Sequence, residues 1–428
     1  MKLELAQITI NDIQFADQTK VSDSTLYINR KELLKVIGQD SRIIDINLEI
    51  VHPGDKVRII PVKDVIEPRV KAEGPGDVFP GFIGGEEMVG SGLTKVLKGA
   101  AVVTTGEIVG FQEGIIDMSG PGAEYSPFSK LHNLVVDCDV KENIKQHEHE
   151  EILRMAGLKT ADYLAKAARD IEPDEVEFFE AKPFLEAAAE YPDLPKVGYV
   201  YMLQSQGLLH DTYVYGVDAK EIIPSLISPT EVMDGAIISG NCVSACDKNT
   251  TYVHQNNPVI EELYKYHGQK YNFMGVIITN ENVTLADKER SSNYTAKLAK
   301  MLSLDAVIVS EEGFGNPDAD LIMNSRKLAA KGIETVLITD EYAGRDGASQ
   351  SLADADPSAD AVVTAGNANE VITLPPMEKV IGHQNFADVI AGGFDGSLGA
   401  DGSISVEIQA ITGSTNELGF NNLTARTY

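Results

Sequence analysis

The residues Phe273-Met-Gly-Val-Ile-Ile-Thr279 and Asp305-Ala-Val-Ile-Val-Ser310 are short apolar runs, and a helical pattern from Asn293 to Leu302 lies between them. A second helical pattern follows, and then a third apolar run, Thr335-Val-Leu-Ile-Thr339. Strands that alternate with helices are typical of a parallel sheet with helices on its faces. We therefore predict a Rossmann-like, mainly parallel α/β region over residues 196–428, with ligand sites at the carboxyl ends of its strands.

The preceding part of the chain has a different pattern. Apolar runs such as Ile43–Val51 and Val57–Ile66 are typical of strands, whereas residues from His147 to Tyr191 have helical spacing. The segment Tyr191-Pro-Asp-Leu-Pro195 breaks that spacing. The predicted fold class is thus α/β, with a mixed β-rich N-terminal domain over residues 1–146 and a helical connector over residues 147–195.

Composition limits the classes of partner and the compartment. The 428 residues carry a formal net charge of -29, which disfavours nucleic acid and anionic membranes as partners. Three cysteines, Cys138, Cys242 and Cys246, argue against a disulfide framework and fit a reducing compartment. The N-terminus is an alternating, acid-containing segment, and no apolar run approaches the ~18 residues of a membrane helix. We expect a cytoplasmic protein without a membrane span.

The stretch Asp234-Gly-Ala-Ile-Ile-Ser-Gly-Asn-Cys-Val-Ser-Ala-Cys-Asp-Lys-Asn249 holds the residues with the greatest chemical interest. Its apolar run from Ala236 predicts a short core strand, and Ser239-Gly-Asn241 predicts a turn. A thiol at Cys242, directly after this turn, is placed to attack its own preceding carbonyl group. On the residues alone, a buried structural thiol is the alternative.

Four stretches of the chain together resemble one family. They are Thr230–Asn249, Gly198–Asp218, Glu281–Ser292 and Asp340–Asp356. Their residues resemble the proprotein of component B of glycine reductase, in the glycine/sarcosine/betaine reductase family of anaerobes that ferment amino acids. The resemblance extends over essentially the whole chain.

The resemblance implies that the chain is a proprotein that cleaves itself between Asn241 and Cys242. The Cys242 thiolate would attack the Asn241 carbonyl and form a thioester by an N-to-S acyl shift. Loss of the β-sulfur would leave a dehydroalanine-like end, and hydrolysis of that end would give a pyruvoyl group. Cysteine suits this route because a thiolate is both a good nucleophile and a good leaving group. The products would be residues 1–241 and 242–428.

The resemblance also implies a role for the pyruvoyl group, which would be the catalytic form of Cys242. The ketone would form a Schiff base with the amine of glycine and withdraw electrons from it. Reductive cleavage of the C–N bond would then give ammonia and acetyl phosphate, in a reaction of the enzyme class that is named for a disulfide as acceptor. The chain would be an oxidoreductase subunit, with no metal and no nucleotide expected.

The implied partners supply what this chain lacks. They are the selenoprotein subunit of component B, the small selenoprotein acceptor (component A), the acetyl-phosphate-forming component C and, indirectly, the thioredoxin system. Two alternatives stay open. The chain could belong to sarcosine reductase, or it could be a scaffold that only docks the selenoproteins, and a scaffold need not be cleaved.

Helper residues are predicted around Cys242. His210 could shuttle protons, and His254 is a weaker candidate of the same kind; a hydrogen-bonded core or loop histidine is the alternative. Cys246 could assist or be a packed thiol. Asp247 and Lys248 could tune the imine or be ordinary loop charges.

Two further motifs lie outside that stretch. Arg345 could bind a substrate carboxylate, with a loop ion pair as the alternative. His147-Glu-His-Glu150 resembles a metal motif, but it opens a charged amphipathic helix, so we expect a solvated face and no metal site.

Overall fold

The computed structural model describes residues 1–207, 209–240, 248–348, 355–415, 418 and 424–427, the last of these by their backbone alone. The predicted α/β class is confirmed, since helices combine with mixed and parallel sheets in this part of the chain. Within the same residues, no helix has both the length and the apolar character needed to cross a bilayer.

Elements of the first half of the chain are as follows. The strands are β1 (Lys2–Thr9), β2 (Asp12–Ala16), β3 (Lys20–Ser22), β4 (Thr25–Asn29), β5 (Ile43–Val51), β6 (Val57–Ile66), β7 (Arg69–Glu73), β8 (Gly92–Lys98), β9 (Ala100–Gly106), β10 (Gly114–Asp117), β11 (His132–Val140) and β12 (Glu175–Glu180). The α-helices are α1 (Arg30–Ile37), α2 (Pro121–Tyr125), α3 (Gln146–Lys166) and α4 (Phe184–Glu190), and a 3-10 helix covers Pro127–Lys130.

Elements of the second half follow in chain order. The strands are β13 (Lys196–Leu203), β14 (Thr212–Val214), β15 (Val217–Asp218), β16 (Ser225–Ile227), β17 (Ile237–Ser239), β18 (Asn272–Asn280), β19 (Ala306–Ser310), β20 (Glu334–Glu341), β21 (Ala361–Asn367), β22 (Val371–Leu374), β23 (Lys379–Gly382), β24 (Ile404–Glu407) and β25 (Thr424–Thr427). The α-helices are α5 (Pro229–Met233), α6 (Thr251–Gln255), α7 (Pro258–Tyr266), α8 (Leu285–Met301) and α9 (Asn316–Ala329). Within the described residues, 3-10 helices cover Ala219–Glu221, Gln384–Asp388 and Ile408–Ala410.

The first half contains two larger sheets and a smaller one of order β2-β4-β3. One larger sheet has the strand order β10-β6-β9-β11-β5, with β23 also paired to β6, and the other has the order β12-β1-β8-β7. Helix α3 packs on β6, β7 and β9. It approaches closely because it carries Gly157, where a Cβ atom would lie 2.6 Å from Cγ2 of Thr104. Leu153, Ala156 and Leu164 of α3 are buried in the core beneath it.

The predicted parallel sheet is present in the second half. Its order is β16-β18-β13-β19-β20-β21-β25, and every pairing is parallel except those of β16 with β18 and of β25 with β21. Helices α8 and α9 pack against each other and against the sheet, and their buried residues, such as Ala296 and Leu321, join a core with Val200 and Val309. The carboxyl ends of β13, β18 and β19 therefore meet at one edge.

Some local predictions were wrong. Glu175–Glu180 is strand β12 rather than helix, because it pairs with β1 at the edge of a sheet. Strand β17 belongs to a small antiparallel sheet of order β15-β14-β17 and not to the parallel series.

The three-part domain division stays a proposal. Two strand pairings cross its boundaries: β12 of the connector pairs with β1, and β23 of the C-terminal region pairs with β6. These pairings bring distant parts of the sequence into shared sheets.

Candidate functional site

Strand β17 leads directly to the predicted cleavage point. Its last residue is Ser239, and the N–H of the next residue, Gly240, donates to the carbonyl oxygen of Asp211 at 2.6 Å. A Cβ atom at position 240 would lie 2.0 Å from the carbonyl oxygen of His210. Glycine at this position lets the chain pass against β14, so the residue before Asn241 has a fixed position.

Both sides of the predicted processing segment are bound to the same carbonyl group. Asn241, Cys242, Cys246 and Asp247 lie outside the described residues. Lys248, the next described residue, is buried, and its ammonium group donates to the carbonyl oxygen of Asp211, which also accepts from Gly240. The described residues on the two sides of positions 241–247 therefore share one acceptor, the carbonyl oxygen of Asp211.

A buried carboxylate binds the chain just after this segment. Oε1 of Glu312 accepts from the N–H of Asn249 at 3.0 Å, and Oε2 accepts from the N–H of Gln204 at 2.6 Å and from Oγ1 of Thr212 at 3.2 Å. Glu312 follows β19, Gln204 follows β13 and Thr212 begins β14. Burial raises the pKa of Glu312 above its ordinary value, although these donors and Lys248 oppose the rise.

A second buried acid lies next to Glu312. Oε1 of Glu281, just beyond β18, accepts from the N–H of Glu312 at 2.8 Å. Burial, and then the charge of Glu312, raises the pKa of Glu281 well above its ordinary value. Burial and the neighbouring acid Glu312 therefore both disfavour the ionised form of Glu281.

A neutral histidine, His254, faces the carboxyl group of Glu312. Nδ1 of His254 lies 2.6 Å from the hydroxyl of Tyr201, and its Nε2 lies 3.7 Å from Oε1 of Glu312. Complete burial, aided by the charge of Lys248, lowers the pKa of His254 to about 3. His254 is therefore uncharged at neutral pH, and it can accept at one ring nitrogen and donate at the other.

A third acid connects β17 to the core of the first half. The N–H of Ser239 donates to Oγ1 of Thr251 at 2.9 Å, and that hydroxyl donates to Oδ2 of Asp64 at 2.6 Å. Oδ1 of Asp64 also accepts from the N–H of Thr251 at 2.9 Å. Burial raises the pKa of Asp64 to about 7, so this carboxyl group can gain or lose a proton near neutral pH.

These buried groups together can hold a peptide and can transfer protons at a place that is shielded from bulk water. Lys248 supplies a fixed cation, Glu312 supplies oriented acceptors, and Glu281, Asp64 and His254 supply groups whose charged forms are disfavoured by burial. Such groups suit general acid–base chemistry at a carbonyl group.

The structure brings some of the predicted helpers to this place. Lys248 lies there, and the backbone of His210 lies against Gly240. Nδ1 of His210 makes a hydrogen bond with Oδ2 of Asp218, and the centroid of the His210 ring lies 4.6 Å from that of His147. Their chemical roles, like those of Asn241, Cys242, Cys246 and Asp247, stay predictions.

The structure gives Arg345 an ion pair, which was the alternative to its role in substrate binding. Its Nε lies 2.8 Å from Oε1 of Glu407, its guanidinium group lies 4.2 Å from the ring centroid of Phe394, and half of its side chain is exposed. A role in binding the substrate carboxylate stays a prediction.

The motif at residues 147–150 is only partly solvated. His147 is exposed, but His149 and Glu150 are buried, which corrects the expectation of a solvated face. Glu150 makes an ion pair with Arg154 at 2.7 Å, and burial lowers the pKa of His149 to about 4. The prediction of a solvated face was wrong because these two residues lie on the side of α3 that packs on the sheets.

Cys138 is also buried, and burial raises its thiol pKa to about 12, so it is a poor nucleophile.

Sequence reasoning missed Asp64, Thr251, Glu281 and Glu312. A partial signal was present for the two glutamates, since each follows an apolar run that was recognised as a strand of the parallel sheet. Asp64 had a weaker signal, as an acid inside the apolar run Val57–Ile66. Nothing in the sequence connected Asp64 to residue 251.

The chain is similar to known proteins over its full length. The profile of the family described as glycine/sarcosine/betaine reductase component B subunits matches residues 1–426. The chain is 67% identical to the glycine reductase complex component B subunits alpha and beta of Acetoanaerobium sticklandii and 66% identical to the protein of the same name from Peptoclostridium acidaminophilum. It is 55% identical to the sarcosine reductase complex component B subunit alpha of Peptoclostridium acidaminophilum. Each of these matches covers 100% of both chains.

No solved structure matches the chain. The family match covers nearly every residue, and the relatives agree with it in name and length. The chain therefore belongs to the family of glycine/sarcosine/betaine reductase component B subunits, and it is a subunit of a multi-component reductase.

Proposed function

We propose that the chain is the self-processing proprotein of component B of glycine reductase, and that Cys242 is the precursor of its pyruvoyl group. The observation that carries the proposal is full-length identity of 66–67% to two single chains, each named as both the alpha and the beta subunit. One chain that is named for two subunits supports a precursor cut into two pieces.

The surroundings of segment 241–247 support the cleavage chemistry. Gly240 and Lys248, the described residues on either side of the segment, both donate to the carbonyl oxygen of Asp211, so these two flanking residues are held at one place. A fixed geometry favours attack of a side chain on the carbonyl of its own neighbour. In the proposal, Lys248 offers positive charge to the developing oxyanion, and Glu312 and His254 move protons in a place from which water is excluded.

The same residues fit a pyruvoyl group at position 242. Such a group has no charge of its own, and it needs donors for its carbonyl oxygens and a route for protons. Lys248 is a buried donor, and burial disfavours the ionised form of Glu281 beside Glu312. The group would supply a ketone that takes up the amine of glycine as a Schiff base, and this chain's residues would orient the amine and keep the centre dry.

Reduction requires other chains. Reductive C–N cleavage needs two electrons and a nucleophile at the α-carbon, and the one described cysteine, Cys138, is a poor nucleophile. In the proposal these come from the selenoprotein subunit of component B and from the small selenoprotein of component A, with the thioredoxin system as the source of electrons. Component C then forms acetyl phosphate. The location we propose is the cytoplasm.

Sarcosine is the second candidate substrate. The full-length identity of 55% to a sarcosine reductase subunit supports it, but that value is below the 66–67% found for the two glycine reductase proteins. The higher value favours glycine.

The proposal is tested by the intact mass of the chain produced in an amino-acid-fermenting anaerobe. We expect two pieces, residues 1–241 and 242–428, and the second should react with carbonyl reagents. Cys242→Ala should stay one chain of full length, because alanine has neither a nucleophile nor a leaving group. Cys246→Ala is the matched control and should still be cleaved. Efficient cleavage of Cys242→Ala would overturn the assignment, and an uncleaved wild-type chain in its native host would favour the scaffold.

A further inference from the structure

Two histidines and an aspartate meet at the edge of the six-stranded sheet, on elements that the proposed function does not use. His52 directly follows β5 and His132 begins β11, and these strands pair with Asn133 opposite Val51. The two rings are therefore cross-strand neighbours, with centroids 5.5 Å apart. Asp12 begins β2, which belongs to the separate sheet of order β2-β4-β3. One ligand atom from each of these three residues lies within 4.8 Å of the other two.

The distances are close to those of a metal site. Nε2 of His52 lies 3.1 Å from Oδ1 of Asp12. Two ligand atoms on a tetrahedral zinc ion at bond lengths of ~2.0–2.1 Å would be separated by about 3.4 Å. A small movement of the His132 ring would bring its ligand atom to the same separation.

One ring nitrogen of this group of residues makes no hydrogen bond. Nδ1 of His132 is buried and has no hydrogen-bond partner among the described residues. Buried polar atoms in folded proteins normally have a partner, and a metal ion would supply it.

A second carboxylate, that of Asp55, lies near the other ring nitrogen of His52. Oδ2 of Asp55 lies 3.5 Å from Nδ1 of His52 and accepts from the N–H of His52 at 2.8 Å. A histidine ligand usually donates its other ring N–H to a carboxylate or a carbonyl oxygen, which fixes the tautomer and orients the ring. In that tautomer, Nε2 of His52 carries a lone pair towards Asp12 and gives up its contact with the carbonyl oxygen of Ile13 at 3.3 Å.

We propose that Asp12, His52 and His132 form a binding site for one divalent transition-metal ion, with zinc as the best match. Two imidazoles and one carboxylate are a common zinc donor set, and they leave a fourth position for water. About a third of the Asp12 and His52 side chains is exposed, so an ion can enter from solvent. The proposal departs from our expectation, drawn from the sequence, that the chain binds no metal.

The bound ion would connect two sheets. Asp12 belongs to the three-stranded sheet, His132 belongs to the six-stranded sheet, and His52 directly follows β5 of that sheet. A metal that binds the folded chain and not the unfolded chain stabilises the fold in proportion to the logarithm of its concentration. We therefore assign this site a structural role, independent of cleavage at Cys242.

The test uses the full chain after chelator treatment, with Zn²⁺ binding followed by calorimetry and Co²⁺ binding followed by visible absorption. We expect one ion per chain at this site and a higher thermal unfolding midpoint when Zn²⁺ is present. His132→Ala and His52→Ala should each weaken binding by more than about tenfold and abolish the thermal shift. Asp55→Asn, at a partly exposed position, should weaken binding by about tenfold without unfolding the chain.

Two controls locate the ion. His147→Ala removes an exposed histidine that lies beside His210, and Cys242→Ala removes the reactive thiol; both should bind Zn²⁺ as tightly as the wild type. If the wild type binds no ion, or if His132→Ala and Asp55→Asn bind it unchanged, the proposal is overturned. Loss of binding in Cys242→Ala would place the ion at the processing segment and would also overturn it.

Discussion

The backbone N–H of Asn249 donates to Oε1 of Glu312, 3.0 Å away, in a part of the core from which solvent is excluded. This bond joins the chain after the processing segment to the carboxyl end of β19. The other oxygen of the same carboxylate holds Gln204 at the end of β13. A single side chain thus positions two loops at the edge of the parallel sheet.

Removal of Glu312 should therefore affect both stability and processing. Glu312→Ala leaves the N–H groups of Gln204 and Asn249 buried without an acceptor, so we expect a loss of about 2–4 kcal/mol in the free energy of unfolding and slower cleavage. Glu312→Gln keeps one acceptor oxygen and should lose less. Urea unfolding and intact mass measure the two effects. Glu378→Ala, at an exposed position, should stay within ~0.5 kcal/mol of the wild type. Equal effects of the two alanine variants would contradict the role of Glu312.

The close approach of Gly240 to β14 gives a steric prediction. In Gly240→Ala, the new methyl group would lie 2.0 Å from the carbonyl oxygen of His210, so the backbone must move to relieve the clash. We expect a cost of about 1–3 kcal/mol and a strong reduction in cleavage. Gly85→Ala is the matched control, because no atom lies within 4 Å of its added Cβ. Normal cleavage of Gly240→Ala would show that the position of Gly240 is not required.

Asp64 predicts a specific dependence of stability on pH. Burial raises its pKa in the folded chain to about 7, whereas an unfolded aspartate titrates near ~3.9. The folded chain thus binds more protons between these values, so the contribution of Asp64 is fully present below about pH 4 and is lost as pH rises towards 7. In Asp64→Asn, the free energy of unfolding should fall less steeply as pH rises through this window. The difference in slope should correspond to at most about one bound proton. Urea unfolding of both proteins at several pH values checks it, and parallel curves would mean that Asp64 does not titrate there.

The sheet order predicts that the two processed pieces stay together. Strand β13 precedes the proposed cleavage point and lies between β18 and β19, which follow it. Strand β23 of the second piece pairs with β6 of the first. We expect the cleaved protein to elute from gel filtration as one species, at the volume of uncleaved Cys242→Ala, and to separate only in denaturant. Separation under native conditions would contradict the shared sheets.

The substrate prediction rests on the proposed pyruvoyl group. Labelled glycine with borohydride should leave label on the piece that begins at residue 242, because reduction makes the reversible Schiff base permanent. Cys242→Ala should take up no label. Label on residues 1–241 would show that position 242 is not the electrophile, and stronger trapping of sarcosine than of glycine would change the proposed substrate.

The sequence by itself determined the parallel region and the family. The runs that became β13, β18, β19 and β20 are mostly apolar without strict alternation, as strands covered on both sides tend to be, and the helices between them have clear spacing. The stretch from Thr230 to Asn249 and three further short stretches indicated the reductase family. Both signals are local, because each is contained in a short, continuous stretch of the chain.

Only the tertiary structure decided which distant residues surround the processing segment. Asp64 meets Thr251, and Glu312 meets Asn249, across gaps of 187 and 63 residues. The strand β12 and the buried side of α3 were missed for the same reason, since β1 and the sheets under α3 determine them. Pairings of this kind depend on how complete sheets stack and which faces they bury, and no short window of sequence contains that information.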